Sequence, residues 1–131
     1  MTDKGQRIII HKVALTDSGG EVCVELKYAD KIYQGMAPSG VGEHAQMMGS
    51  ANALIAAINS IIPTPIVTRV AEIQQVRFQS LAEVVIVTMV GIKIKGKEML
   101  FSGSAKIEGQ LLQSVVRATL DAVNRPIGVV L

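Results

Sequence analysis

The chain has 131 residues, 49% of them apolar, but only two Phe, two Tyr and no Trp, so its core has to be aliphatic. Thirteen basic residues against eleven acidic leave a net charge of +2 with no field of one sign. With few aromatic rings to stack on bases, this excludes nucleic acid as an expected partner. The single Cys23 cannot form an internal disulfide and suits a reducing compartment, so a cytoplasmic location is expected.

The opening MTDKGQRIII carries an acid early and runs straight into His11-Lys12, unlike a secretory leader. Strand character starts there, over Arg7 to Ala14, and the turn-formers from Thr16 to Gly20 end it. Glu21 to Tyr28 alternates, with Val22, Val24, Leu26 and Tyr28 on one face and Cys23, Glu25 and Lys27 on the other, which predicts a strand with one wet side. Ala29-Asp30 turns the chain into a third strand, Lys31 to Ala37, which Pro38-Ser39-Gly40 breaks. From about Gly42 to Ile61 the apolar positions Met47, Met48, Ala51, Leu54, Ile55, Ile58 and Ile62 predict a helix, and Pro63 and Pro65 stop it. Polar residues and prolines interrupt the apolar run Ala51 to Val67, so no membrane span, and no membrane partner, is expected.

The order then repeats: strand Thr68 to Phe78, a turn near Ser80, strand Glu83 to Ile94, a Lys95-Gly96-Lys97-Glu98 turn, and strand Met99 to Ala105. A helix follows that ends in RATLDAVNRPIG, predicted to stop at Asn124-Arg125-Pro126. Ala57-Ile58-Asn59 matches Ala122-Val123-Asn124, and Tyr33-Gln34-Gly35 matches Phe101-Ser102-Gly103. The expected fold is therefore α+β, with duplicated βββα units, mainly antiparallel sheets packed with two helices. Residues 1–131 form one domain of two repeats, about 6–63 and 67–126. One strand is unusual: Val84, Ile86 and Val90 face one way and Val85, Val87 and Met89 the other, so both faces ask for a cover.

The helices differ in what they leave outside. In the second, Gln110, Gln113, Ser114, Arg117, Asp121 and Asn124 form a polar stripe suited to solvent. In the first, the positions opposite the bulky stripe are Gly49, Ala53, Ala56 and Ser60, which fits either a helix buried between the two halves or a subunit interface.

Gly49-Ser50-Ala51-Asn52-Ala53 followed by Ala57-Ile58, the run Ala118-Thr119-Leu120-Asp121-Ala122-Val123-Asn124-Arg125, and the hairpin Glu83-Val84-Val85-Ile86-Val87 to Phe101-Ser102-Gly103 together carry a resemblance. They resemble the C-terminal regulatory, or allosteric dimerisation, domain of α-isopropylmalate synthase and its citramalate synthase relatives. The resemblance spans nearly the whole chain and implies a pair of βββα units, homodimerisation and binding of a small amino acid by the loops that open the helices. Two departures touch those loops. Ser50 stands where the family has Pro, and Lys106-Ile107-Glu108-Gly109 replaces a Ser-Thr-Asp stretch, so the fold carries over better than specificity for leucine. The catalytic barrel of the synthases is not contained in these 131 residues, and no enzymatic activity is expected of them.

The resemblance places candidate ligand-binding residues at Gly40, Gly42, Glu43, His44, Gly49, Ser50 and Asn52 in one loop region and at Ser104, Glu108 and Gly109 in the other, with Met47, Met48 and Leu111 as an apolar lining. Gly40, Gly42 and Ala45 also fit G-x-G-x-x-A before a helix, where glycines let backbone N–H groups approach an anion. The plain alternative is that they end a strand and cap a helix, and the next acid after Glu43 is Glu72, too far for a dinucleotide fingerprint. His11, His44 and Cys23 have no metal-ligand spacing, and neither metal nor cofactor is expected. Glu43 with His44 offers proton transfer only if a pocket forms around them, and a solvated histidine is the simpler reading. Ser102-Gly103-Ser104 lacks the setting of a nucleophile elbow and reads as turn chemistry, and Lys93, Lys95 and Lys97 make one solvated edge. The expected function is a stand-alone, non-enzymatic regulatory domain, a homodimer or higher homo-oligomer that binds an amino acid or related carboxylate. The alternative is a protein-protein interaction or structural module without a small ligand, with a partner enzyme as one candidate for what it docks.

Overall fold

A computed structural model describes residues 7–16, 19–64 and 66–128. In chain order the elements are β1 (Ile9–Leu15), β2 (Glu21–Tyr28), β3 (Lys31–Pro38), α1 (Glu43–Ile61), β4 (Val67–Phe78), β5 (Glu83–Ile94), β6 (Lys97–Lys106) and α2 (Leu111–Gly128). β1-β2-β3 and β4-β5-β6 form two separate antiparallel sheets, each followed by its helix, so the fold is α+β with duplicated βββα units. The first repeat's expected start at residue 6, and Asp17, Ser18 and Pro65 among the expected turn and stop residues, lie outside the described residues.

The duplication extends to backbone detail. Gly35 pairs with Val24 and Gly103 with Thr88, which fixes the correspondence between the sheets. On that correspondence the register shift at His11 in β1 falls opposite Leu26 and Glu25, and the shift at Ala71 in β4 falls opposite the matching Val90 and Met89. Both repeats thus carry a β-bulge at the same place. Two-residue turns close both central hairpins with positive φ at each central position, Ala29 (52°) and Asp30 (63°) in one and Lys95 (52°) and Gly96 (81°) in the other. That is the type I′ geometry whose twist matches the flanking strands.

The two glycines explain how the helices sit. A Cβ on Gly35 would collide with Ala53 O and Ala57 N of α1, and one on Gly103 with Ala118 O and Ala122 N of α2. Each helix therefore crosses its own third strand at backbone distance. Gly49 and Ala53 are buried in this same contact, Gly49 against Pro38 O, so the small-residue side of α1 receives the chain's own sheet. Of the two readings of that face, burial within the chain holds at Gly49 and Ala53, whereas Ala56 is half-buried and Ser60 remains exposed.

Each helix also packs on the other helix and on the first strand of the other repeat, α1 on β4 and α2 on β1. The core between them is aliphatic: Val22, Val24, Leu26, Leu54, Ile58, Ile73, Ile86, Val90, Val115, Val116 and Val123 are all buried. At the position matching Val24 and Leu54, the second repeat has a buried Thr88 and Thr119 with hydroxyls 3.4 Å apart, and the Thr119 hydroxyl donates to Val115 O at 2.8 Å.

Two expectations are corrected. The second helix does not stop at Asn124-Arg125-Pro126 but runs through Pro126 to Gly128. Pro126 gives up one helical bond, the one an N–H there would make to Ala122 O, and burial of Pro126 and Ile127 holds the last turn in place. Ser102-Gly103-Ser104 is not a turn but the middle of β6, where the glycine serves the approach of α2. The first helix ends at Ile61 as the prolines dictate, with Ile62 extended (φ −82°, ψ 145°) before Pro63.

Candidate functional site

The two loop regions singled out in the sequence open the two helices, and each faces a cleft at the seam between repeats. One cleft, of about 280 Å³, is lined by Glu43, His44 and Met47 of α1 and by Ile73, Gln74 and Gln75 of β4. A second of the same volume is lined by Gln110, Leu111 and Leu112 at the start of α2, by Val13, Ala14 and Leu15 of β1, and by Gln46. Val13 corresponds to Ile73 and Leu112 to Met47, so the clefts are matching places, each between the first turn of one repeat's helix and the first strand of the other.

Their chemistry differs. In the first, Gln75 Nε2 donates to Glu43 Oε1 at 2.8 Å and lies 3.5 Å from Met47 Sδ. The carboxylate at this helix N-terminus thus belongs to the protein itself, where the helix dipole favours it. His44, Gly40 and Gly42 are exposed beside it, and Gly42 adopts φ 103°, a backbone shape that favours glycine. Among the described residues the second cleft presents aliphatic side chains and two glutamines. The loop below it is fixed by Ser114, whose hydroxyl accepts from Glu108 N at 3.2 Å, and by Arg117, which donates to Ser114 Oγ at 3.1 Å and Glu108 O at 3.4 Å.

The candidate residues therefore separate into three groups. Glu43 and His44 line the first cleft with Gly40 and Gly42 in the exposed loop just before them, and Glu108 and Gly109 precede the helix turn that lines the second. Gly49 and Ser50 point inward: Gly49 meets β3, and the Ser50 hydroxyl donates to Gln46 O at 2.9 Å, so a proline there would remove a helical N–H as well as this bond. Asn52 is exposed further along α1, and Ser104 is exposed on β6, its N–H donating to Asp121 Oδ2 at 3.1 Å. Met47 and Leu111, expected in one apolar lining, belong to different clefts.

Two further features were not anticipated. A third cleft, of about 410 Å³, runs between the segment Arg7–Ile10 and the exposed side of α2 at Arg117, Asp121 and Asn124. Across the outer face of the second sheet, Arg69 Nη2 meets Glu98 Oε1 at 3.0 Å while Arg69 Nε and the Thr68 hydroxyl donate to Glu98 Oε2. Those hydrogen bonds, Arg69 first and Thr68 second, hold the Glu98 carboxyl below the ordinary glutamate range. Gly91 lies between the partners, and a Cβ there would strike both Glu98 and Thr68. On the same outer face Val85, Val87 and Met89 stay half-exposed, whereas Ile86, Thr88 and Val90 are buried under α2.

Among the described residues no cluster of His, Cys, Asp and Glu has the makings of a metal site, and no helix is long and apolar enough to cross a membrane. No protein-family model matches the chain, and no curated protein is significantly similar to it.

Proposed function

We propose that the chain is a non-enzymatic regulatory module, a homodimer that binds a small amino acid or related carboxylate at the seam between its repeats. The observation that supports this most is the pair of matching clefts, because a molecule held in either touches the helix start of one repeat and the first strand of the other. Such a ligand bridges the two repeats, and it changes shape or assembly to the extent that it binds one arrangement of them better than another. The second cleft is the better receptor: its aliphatic lining suits an apolar side chain, and the glutamine amides suit a carboxylate or ammonium group. The resemblance to the isopropylmalate synthase regulatory domain points the same way.

The test is a thermal melt of the pure protein with each proteinogenic amino acid and branched-chain oxo acid, followed by native mass spectrometry of any compound that raises the midpoint. A ligand at about 100 times its dissociation constant adds about 2.7 kcal/mol to stability. The expected result is a shift with one chemical class and a matching bound mass, reduced by Leu112→Asp. No shift with any compound would remove the ligand from the proposal.

A second reading, an interaction module without a small ligand, is favoured by one observation. The row Val85, Val87 and Met89 leaves apolar surface half-open along the central strand of a sheet, which is what a docking face offers. Under that reading the melts stay flat while a partner protein raises the midpoint.

A further inference from the structure

Two three-stranded sheets have four outer edges, and three of them carry a device that prevents pairing with another chain. β1 and β4 are bulged at His11 and Ala71. On β6 the carboxylate of Asp121 occupies the N–H of Ser104. β3 has neither between Lys31 and Ala37: its register with β2 runs without a shift from Glu21↔Pro38 to Tyr28↔Lys31, and its edge-blocking proline, Pro38, stands at the very end of the strand. Among the described residues no side chain takes the N–H of Met36, which corresponds to Ser104, and the residue at the place of Asp121 is Ala56.

The two-residue turn fixes which groups face outward. Tyr28↔Lys31 closes the hairpin as a hydrogen-bonded pair, and pairs alternate from there, so Ile32, Gln34 and Met36 direct their N–H and C=O groups to the open edge. The same count along β6 puts the Ser104 N–H outward, where Asp121 is found. We infer that β3 is the dimer seam: it pairs antiparallel with β3 of a second copy, about a two-fold axis through Gln34, making one six-stranded sheet from two three-stranded ones.

The sequence of β3 complements itself in that register. Ile32 of one copy stands opposite Met36 of the other, and these two side chains are 48% and 44% exposed in the single chain. Lys31 stands opposite Ala37 and Gln34 opposite itself, so no like charges meet. The helix above fits as well. The α1 positions on this side are Asn52, Ala56 and Ser60, short and uncharged, whereas their counterparts on α2 are Arg117, Asp121 and Arg125. Two α1 helices can approach across the axis, and two α2 helices cannot. The seam rests on the homodimer proposed above and specifies where it forms.

Sedimentation equilibrium of the full chain, with amide hydrogen exchange, tests it. Gln34→Pro removes an N–H that faces away from β2, and Ala56→Asp copies the guard that Asp121 provides on β6, so both leave the intrachain ladder in place. The expected result is a wild-type dimer with slow exchange at Ile32, Gln34 and Met36, and a dissociation constant raised at least about 100-fold in either variant. A dimer in which those three amides exchange freely, or whose constant both variants leave unchanged, overturns the β3 seam and leaves dimerisation standing, with Val87→Lys then locating it on the outer face of the second sheet. A wild-type monomer at about 100 times the usual micromolar range for specific association overturns both the seam and the dimer. Exchange in the unmodified protein decides the matter if a variant fails to fold.

Discussion

At matched positions the outer faces of the two sheets carry Cys23, Glu25 and Lys27 in the first repeat and Val87, Met89 and Gly91 in the second. The inner faces differ too, with Val24 and Leu54 in one and Thr88 and Thr119 in the other. What the repeats share lies in the backbone: the bulge in the first strand, the type I′ turn, and the glycine under the helix. Side chains that only fill space have diverged, while positions where backbones touch have not. The identity of the chain as a repeat protein therefore rests on a few backbone contacts, and whatever distinguishes one half from the other is free to serve binding.

The sharpest way to break the comparison is to fill the shared contacts. Gly35→Ala and Gly103→Ala each drive a methyl group into helix backbone, and each is expected to cost at least about 3 kcal/mol, read as denaturant midpoint with unchanged slope. A large cost at only one of them would mean that the repeats do not share this device. Next come the matched inner positions. Leu54→Ala should cost about 3 kcal/mol as an aliphatic cavity, and Thr119→Ala about 1 to 2 kcal/mol, while Thr88→Val with Thr119→Leu should restore the first repeat's chemistry at little cost.

Below these stands the Arg69–Glu98 ion pair of the second repeat. The folded Glu98 carboxyl titrates below its unfolded value, so its contribution is fully present above the ordinary glutamate range and is lost as pH falls through the lower, folded value. The difference in melting temperature between the parent and Glu98→Gln should therefore shrink with acid, and a constant difference from neutral pH to below the folded value would assign Glu98 a packing role only. The smallest effect concerns the turns: Asp30→Gly relieves a positive φ in the first repeat and should add about 0.5 kcal/mol, whereas Gly96→Ala in the second should remove a similar amount.

Most of the element order was legible because each strand and helix announces its own period, and the glycine match of Gly35 with Gly103 was legible without coordinates. The misreadings have physical causes. Ser102-Gly103-Ser104 has the composition of a turn, and only the helix crossing above it reveals why a glycine sits inside a strand. Pro126 looked like a stop because local sequence does not show that Ile127 is buried. The candidate loops were located at the helix starts, but the clefts they face are completed by β1 and β4 of the opposite repeat, which no local pattern announces. Nor could spacing alone join Arg69 to Glu98, or reveal that Asp121 guards an edge strand.

The crossing contacts of α1 on β4 and α2 on β1 bear on how the molecule comes apart. Neither half retains a complete set of packing surfaces once the other is lost, and a unit of about 60 residues is marginal even with its surfaces covered. Melting is thus a cooperative event of the whole chain: calorimetry should give one transition whose van't Hoff and calorimetric enthalpies agree, with no plateau at which one βββα unit outlives its twin.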